Sequence, residues 1–347
     1  MKKHYVIDVI PGDGIGPELM PGAITCLEAI AYHHGFNMEW RTHSWNSERH
    51  LIHGSMMPAD GLQQLAGGDA IFAGTFGLPG RSRHVEEREL LSPIRSAFDQ
   101  YVDVLPARLL PGMTPQIAGV DHLNAVLVQA NLEGTHRTPK RPEQSAVLAW
   151  GVGRVARYAL QLAEKRSRRL VSATGSDGVL SSTPFWDEVV SQAAEEYPSV
   201  AAESVPFDSL AARAILNPET LDVVVASNLY GEEMAALLGA VSGVGHVAPV
   251  ASINPEGHHP SMFKPCHGPA LDIVGQGIAN PIGQLWAGAM LLEHLGETEA
   301  AICLSASFEE VLSSGTSTPD LGGNSSTQNV TDAVLNQIAR AAQPALV

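Results

Sequence analysis

Apolar residues along this chain fall into two rhythms: short, nearly continuous runs of Val, Ile and Ala, and longer stretches with apolar positions three and four apart. The first rhythm predicts buried strands at Tyr5–Ile10, Asp69–Ala73 and Leu221–Ala226. The second predicts helices from Pro17 through Tyr32, over Asp60–Ala66, over Ala149–Arg166, from Thr183 onward, and from Ile282, where Leu285, Trp286, Ala289 and Leu292 continue one face. A last helix begins near Thr327. Helices interleaved with buried strands define an α/β protein.

The connections carry the chemistry. Strand Tyr5–Ile10 runs into Pro11-Gly-Asp-Gly-Ile-Gly16-Pro17-Glu18, whose glycines permit backbone conformations closed to other residues. Pro17 and Glu18 suit a helix start, because proline needs no donor there and an acid complements the helix dipole. A Gly-x-Gly pattern alone is weak evidence of nucleotide binding, since tight strand-to-helix turns explain it as well. A second loop, Phe263-Lys-Pro-Cys-His267-Gly268-Pro-Ala270-Leu-Asp272, leads to Asn280-Pro281 at the head of the Ile282 helix. Asn280 suits the cap and Pro281 the first helical position. A punctuated loop that presents a histidine and then an aspartate before a rigid helix is the layout of a small-molecule cradle.

Composition narrows the field. At 347 residues and 44% hydrophobic content the chain is long enough for two domains, or for one large α/β unit. No apolar run reaches membrane-spanning length, and no signal-type segment precedes the first strand, so a soluble cytoplasmic protein without a membrane partner is expected. The formal net charge of −16 repels polyphosphates, which argues against nucleic acid. Cys26, Cys266 and Cys303 are too few and too widely spaced for a disulfide framework or a zinc cluster, and are expected as free thiols.

The string Ile-Pro-Gly-Asp-Gly-Ile-Gly-Pro-Glu at Ile10–Glu18, the loop His-Gly-Pro-Ala-Leu-Asp-Ile at His267–Ile273 and the Ala-Asn-Pro at Ala279–Pro281 resemble the metal-dependent β-decarboxylating dehydrogenases. This is the isocitrate/isopropylmalate dehydrogenase family, and the likeness is greatest to its tartrate/D-malate branch. It extends over nearly the whole chain. It implies a two-domain isopropylmalate-dehydrogenase-like fold that is not a Rossmann fold. Residues 1–101 with 252–347 would form the cofactor-binding domain, and 102–251 the substrate and dimerisation domain. It also implies that NAD binds at His267, Gly268, Ala270, Asp272 and Asn280. His267 would lie by the adenosine, Asp272 would accept the ribose hydroxyls and Asn280 would read the adenine edge. A carboxylate at Asp272 favours NAD, because it would repel the extra phosphate of NADP.

On the substrate side the likeness is interrupted. In the segment Leu90–Arg108, Arg95 stands at the first of two substrate-binding arginines, while the second falls on Leu105. In Ala125–His136, Asn131, Glu133 and Gly134 match, but an arginine has become Gln129 and the family's acid tyrosine His136. The family's catalytic lysine falls on Gly175. Asp208 matches an aspartate that ligates the metal and relays a proton across the dimer; the two later aspartates fall on Glu232 and Ala236. Asp208 and Glu232 are therefore the candidate ligands for Mg²⁺ or Mn²⁺, and Asp208 and His136 the candidate catalytic groups. Arg81, Arg83 and His84 in the loop after strand Asp69–Ala73 are equally compatible with an acidic-substrate site and with a solvated basic loop.

Losing one general acid or base costs about 10²–10⁴-fold in rate. The expectation is a divergent NAD-binding family member whose oxidative decarboxylation is impaired or changed. Two alternatives stay open: a non-catalytic regulatory partner subunit of an active paralogue, and an active NAD-dependent decarboxylating dehydrogenase on a malate-like acid. A homodimer is expected, or a heteromer with the paralogue.

Overall fold

The computed structural model describes residues 3–77, 85–113, 117, 120–131, 142–175, 183–245 and 247–341. His136, Arg81, Arg83, His84, Glu133 and Gly134 lie outside the described residues. The strands run in the order β1 (His4–Gly12), β2 (Asn37–Thr42), β3 (Ala70–Thr75), β4 (Val102–Arg108), β5 (Asn124–Ala130), β6 (Arg169–Thr174), β7 (Ala201–Pro206), β8 (Val223–Ala226), β9 (Pro249–Ile253) and β10 (Ser261–Pro265). The chain divides into two compact units. One holds Met1–Asp99, Leu110–Met113 and His246–Val347; the other holds Gln100–Leu109 and Thr114–Gly245.

In the first unit the strand order is β2-β1-β3-β10-β9, with β1 parallel to β2 and β3, β10 parallel to β3, and β9 antiparallel to β10. Every residue of β3 is buried, as expected of a central strand covered on both faces. The helix Gly16–His34 packs on helix Thr327–Ala341, and helix Ile282–His294 on helix Thr298–Ser313. The first of these ends at Gly35, whose φ of 78° supplies the left-handed cap.

In the second unit the order is β4-β5-β8-β6-β7. β4 is antiparallel to β5, and the other pairs are parallel. β8 is wholly buried, whereas β7 is largely exposed at the edge. The core is aliphatic, built from Leu127, Val171, Leu210, Val224, Met234 and Leu238 among others. Among the described residues no helix is long and apolar enough to cross a membrane.

Several element boundaries differ from the periodicity. β1 continues past Ile10 to Gly12, because Gly12 pairs with Thr75 on β3. Phe263, Lys264 and Pro265 belong to β10 rather than to a loop. The helix expected over Ala149–Arg166 spans Pro142–Glu164, with proline at its first position.

Candidate functional site

Two turns of the first unit are locked together. Gly14, at φ +60°, lies so close to Pro269 that an added Cβ would fall 2.0 Å from its carbonyl oxygen. The next residue, Ile15, donates its N–H to that oxygen at 2.9 Å. Asp13 anchors the other side of the turn. Its carboxylate accepts the Ser47 N–H at 2.9 Å, the Ser47 hydroxyl at 2.7 Å and the Gly77 N–H at 3.0 Å. Glu18, in the first turn of the following helix, accepts the Gly275 N–H at 3.1 Å. The signature turn after β1 therefore fixes the loop before helix Ile282–His294 at Pro269 and at Gly275.

Between these turns lies a cleft of about 410 Å³ lined by Ile15, His267, Ala270, Ile273, Ile278, Asn280, Pro319 and Asp320. Apolar walls with a few polar groups at fixed positions suit a flat heterocycle. Buried Ile15, Leu19 and Ala279, with Ala270 and Ile273 packed on them, support these walls. Ala270 sits at φ 41°, a left-handed conformation that a non-glycine residue holds only when its surroundings fix it.

Asn280 is held at both ends of its amide. Its Oδ1 accepts the Ile282 N–H at 3.0 Å, and its Nδ2 donates to Asp320 Oδ2 at 2.9 Å. The helix begins at Ile282, one residue beyond the expected first position, and Asn280 still satisfies its first free donor. The other Asp320 oxygen accepts the Thr318 hydroxyl at 2.5 Å. Of the residues singled out for a cofactor, His267, Ala270 and Asn280 line the cleft, while Gly268 and Asp272 are exposed on the same loop. The backbone carbonyl of Asp272 accepts the Gln276 side chain at 2.7 Å. Ile15, Pro319 and Asp320 were not singled out from the sequence. The only signal for the last two is the Thr318-Pro-Asp-Leu-Gly-Gly string, which reads equally well as a turn.

Arg95 is elsewhere in the same unit, on helix Ser92–Ala97. Its Nη1 donates to Glu87 Oε1 at 2.8 Å and its Nε to Ser252 Oγ at 3.2 Å.

The remaining candidates belong to the second unit. Gln129 is buried and packs against Gly231, where an added Cβ would lie 2.5 Å from its Cγ. Asn131 donates through Nδ2 to Asp103 Oδ1 at 3.1 Å and to the Gln100 carbonyl at 3.2 Å. Asp208 is exposed in the first turn of helix Phe207–Leu216, where Oδ1 accepts the Ser209 N–H at 2.8 Å. Glu232 is exposed on helix Asn228–Ser242, with Asn228 Nδ2 at 3.5 Å. Burial pushes the Asp187 carboxyl above its ordinary range. Among the described residues no group of three or more His, Cys, Asp or Glu side chains is placed to hold a metal ion. Asp208 and Glu232, two exposed carboxylates on separate helices, do not by themselves form a hard-cation shell.

The fold agrees with the comparisons with known proteins. The model of the isocitrate/isopropylmalate dehydrogenase family matches residues 6–334, and the chain belongs to that family. It is 42% identical over 352 residues to a probable tartrate dehydrogenase/decarboxylase of Agrobacterium vitis, covering 97% of each chain. It is 41% identical over 361 residues to the decarboxylating D-malate dehydrogenase of Escherichia coli strain K12, covering 98% of this chain and all of that one, 100%. Among solved structures, isocitrate dehydrogenase from Methylococcus capsulatus superposes with a TM-score of 0.84 at 27% identity, over 96% of this chain and 99% of that one. The fold is thus the α/β fold of the isocitrate/isopropylmalate dehydrogenases.

Proposed function

We propose that this chain is a divergent NAD-binding member of its family, with the adenosine half of the dinucleotide in the cleft beside Asn280 and Asp320, and with the oxidative decarboxylation of 2-hydroxy diacids impaired or changed. The observation that carries the nucleotide reading is the pinned amide of Asn280 in a cleft of about 410 Å³ whose other lining residues are apolar except His267 and Asp320. In this reading Asn280 keeps one amide hydrogen and one lone pair for the edge of a base, Ile15, Ile273 and Ile278 cover its faces, and His267 stands by the sugar. The exposed carboxylate of Asp272 on the adjoining loop takes ribose hydroxyls and disfavours a 2′-phosphate. NAD, when bound, supplies the hydride acceptor.

The substrate side supports change rather than loss of binding. Arg95 is engaged by a carboxylate of the chain itself. Leu105, Gln129 and Gly175 stand where the family resemblance places an arginine, an arginine and a lysine. A less acidic substrate, with His136 as acid and base, fits these replacements. The active state is a homodimer in this reading; a regulatory subunit paired with an active paralogue is the form it takes if no turnover exists. A metal held by Asp208 and Glu232 requires further ligands from substrate, water or a second copy.

One observation favours a second reading. Relatives at 41 and 42% identity over nearly the full chain are named as decarboxylating dehydrogenases of D-malate and tartrate, which supports an active enzyme on a malate-like acid. Calorimetry with NAD and NADP, followed by an NAD reduction assay with Mg²⁺ or Mn²⁺ over D-malate, tartrate, isopropylmalate and isocitrate, separates the two. Tight NAD binding with slow turnover of all four supports the first reading. Turnover of any one at ordinary family rates installs the second, and absence of NAD binding at millimolar concentration removes both.

A further inference from the structure

The first residue of helix Thr327–Ala341 carries a hydroxyl that the helix does not use. Capping falls to Ser326, whose Oγ accepts the Asn329 N–H at 3.1 Å. Thr327 is 9% exposed and sends both of its donors out of the helix. Its N–H is one of those that a helix start leaves without an intrahelical acceptor, and it reaches the Gly277 carbonyl at 2.8 Å. Its hydroxyl reaches the Ala279 carbonyl at 2.6 Å. Ile278, between those two carbonyls, lines the nucleotide cleft, and Asn280, the next residue, lines it too.

The same stretch of chain meets Asn280 through Asp320, and the turn between Asp320 and Thr327 is closed by the Ser325 N–H on the Ser317 carbonyl at 3.0 Å. Gly277–Asn280 is thereby held at both ends from one distant segment. At the Gly277 end packing contributes little: the residue sits at φ +69°, and nothing lies within 4 Å of where its Cβ would stand. Hydrogen bonds to Thr327 supply the restraint there.

From this arrangement we infer that Thr327 is a positioning residue for nucleotide binding, whose paired donors hold Ile278 and Asn280 in the arrangement that receives the base. The inference rests on the nucleotide reading of this cleft. Thr327 is not among the lining residues, so it acts through the backbone of the loop. Order imposed before the ligand arrives need not be imposed by the ligand, and binding is tighter for it. Without the hydroxyl, the carbonyl of Ala279, a residue only 1% exposed, loses its donor, and the loop must shift to find another.

The test is calorimetry with NAD and with adenosine 5′-monophosphate, which carries the adenosine half alone. It compares the native protein with Thr327→Val, Thr327→Ser and Thr331→Val. Valine keeps the shape of threonine and removes the hydroxyl, whereas serine keeps the hydroxyl. Thr331 is the matched control, a buried residue one turn along whose hydroxyl donates to the Thr327 carbonyl at 2.9 Å, within the helix. Thr327→Val is expected to weaken both ligands about 3- to 10-fold, the effect of one neutral hydrogen bond. Thr327→Ser and Thr331→Val are expected to stay within about twofold of native. Native-like affinity in Thr327→Val, an equal loss in Thr331→Val, or an equal loss in Thr327→Ser overturns the inference, because each shows that the hydroxyl at 327 does not set the cleft. A native protein that binds neither ligand at millimolar concentration removes the nucleotide reading itself, and the inference with it.

Discussion

Asn280 and Asp320, forty residues apart in sequence, face each other at the cleft of the first unit, the amide Nδ2 of one donating to the carboxylate Oδ2 of the other at 2.9 Å. This bond fixes the rotation of the Asn280 amide, because Oδ1 is simultaneously committed to the Ile282 N–H. Pre-setting a polar group before the ligand arrives lowers the ordering cost of binding.

Asp320→Ala is therefore expected to weaken NAD about 3- to 10-fold and to destabilise the fold by about 1 kcal/mol, the worth of one ordinary hydrogen bond. Asn280→Ala should cost more in both, since it also removes a helix cap worth about 1 kcal/mol. Calorimetry with NAD and urea unfolding measure the two effects. An Asp320→Ala protein that binds NAD as tightly as the native chain sinks the positioning role.

Gly14→Ala is expected to damage nucleotide binding although Gly14 does not itself line the cleft. The new Cβ would fall 2.0 Å from the Pro269 carbonyl oxygen, and φ +60° disfavours any L side chain. The Pro269 loop must move, carrying His267 and Ala270 with it. Gly296→Ala is the control: its φ is +79°, yet nothing lies within 4 Å of the added atom. It should cost only the backbone term of about 1–2 kcal/mol and leave NAD affinity intact. Melting temperatures and NAD titrations of both variants decide this, and equal losses of affinity would refute the clash.

The two fixed turns were legible in the sequence because glycines and prolines mark positions where backbone approaches backbone, as Gly14 does at Pro269. The helix after Asn280 was legible because its apolar spacing continues for several turns. Asp320 was not, since nothing local to Thr318-Pro-Asp says which distant side chain it will meet. The strand Asn37–Thr42 was missed for a different reason: its residues alternate with polar ones and none is fully buried, so no apolar run announces it. The Glu87–Arg95 pair escaped because its spacing depends on a π turn, which residue patterns do not specify.

The thiols should separate by burial. Burial pushes the Cys26 thiol up to about 12, with a smaller contribution from Asp332. Cys303 is also raised by burial, while Cys266 is exposed beside His267. With a thiol reagent at pH 8, Cys266 is expected to react first and Cys26 only on unfolding. Saturating NAD should slow Cys266 about severalfold if the dinucleotide covers the His267 loop. Peptide mapping of the labelled protein reads both, and early labelling of Cys26 would contradict its placement in the core.

His294 gives a pH dependence of defined sign. The residue ends helix Ile282–His294 and packs its ring on Phe263 at 5.3 Å between centroids. A helix C-terminus favours the imidazolium, but desolvation dominates, and the group is held below its ordinary value of 6.5. The folded state therefore binds fewer protons than the unfolded one at pH values between the depressed value and about 6.5, so stability rises with pH through that window. Acidification from pH 7.5 to 5.5 is expected to destabilise the native protein, because the unfolded chain takes up a proton that the folded chain resists. His294→Leu removes the titrating group and keeps an apolar side chain against Phe263, so its unfolding free energy should change less between the two pH values. Urea denaturation of both proteins at pH 5.5 and 7.5 provides the comparison. A steeper pH dependence in His294→Leu than in the native chain would show that burial does not govern this histidine.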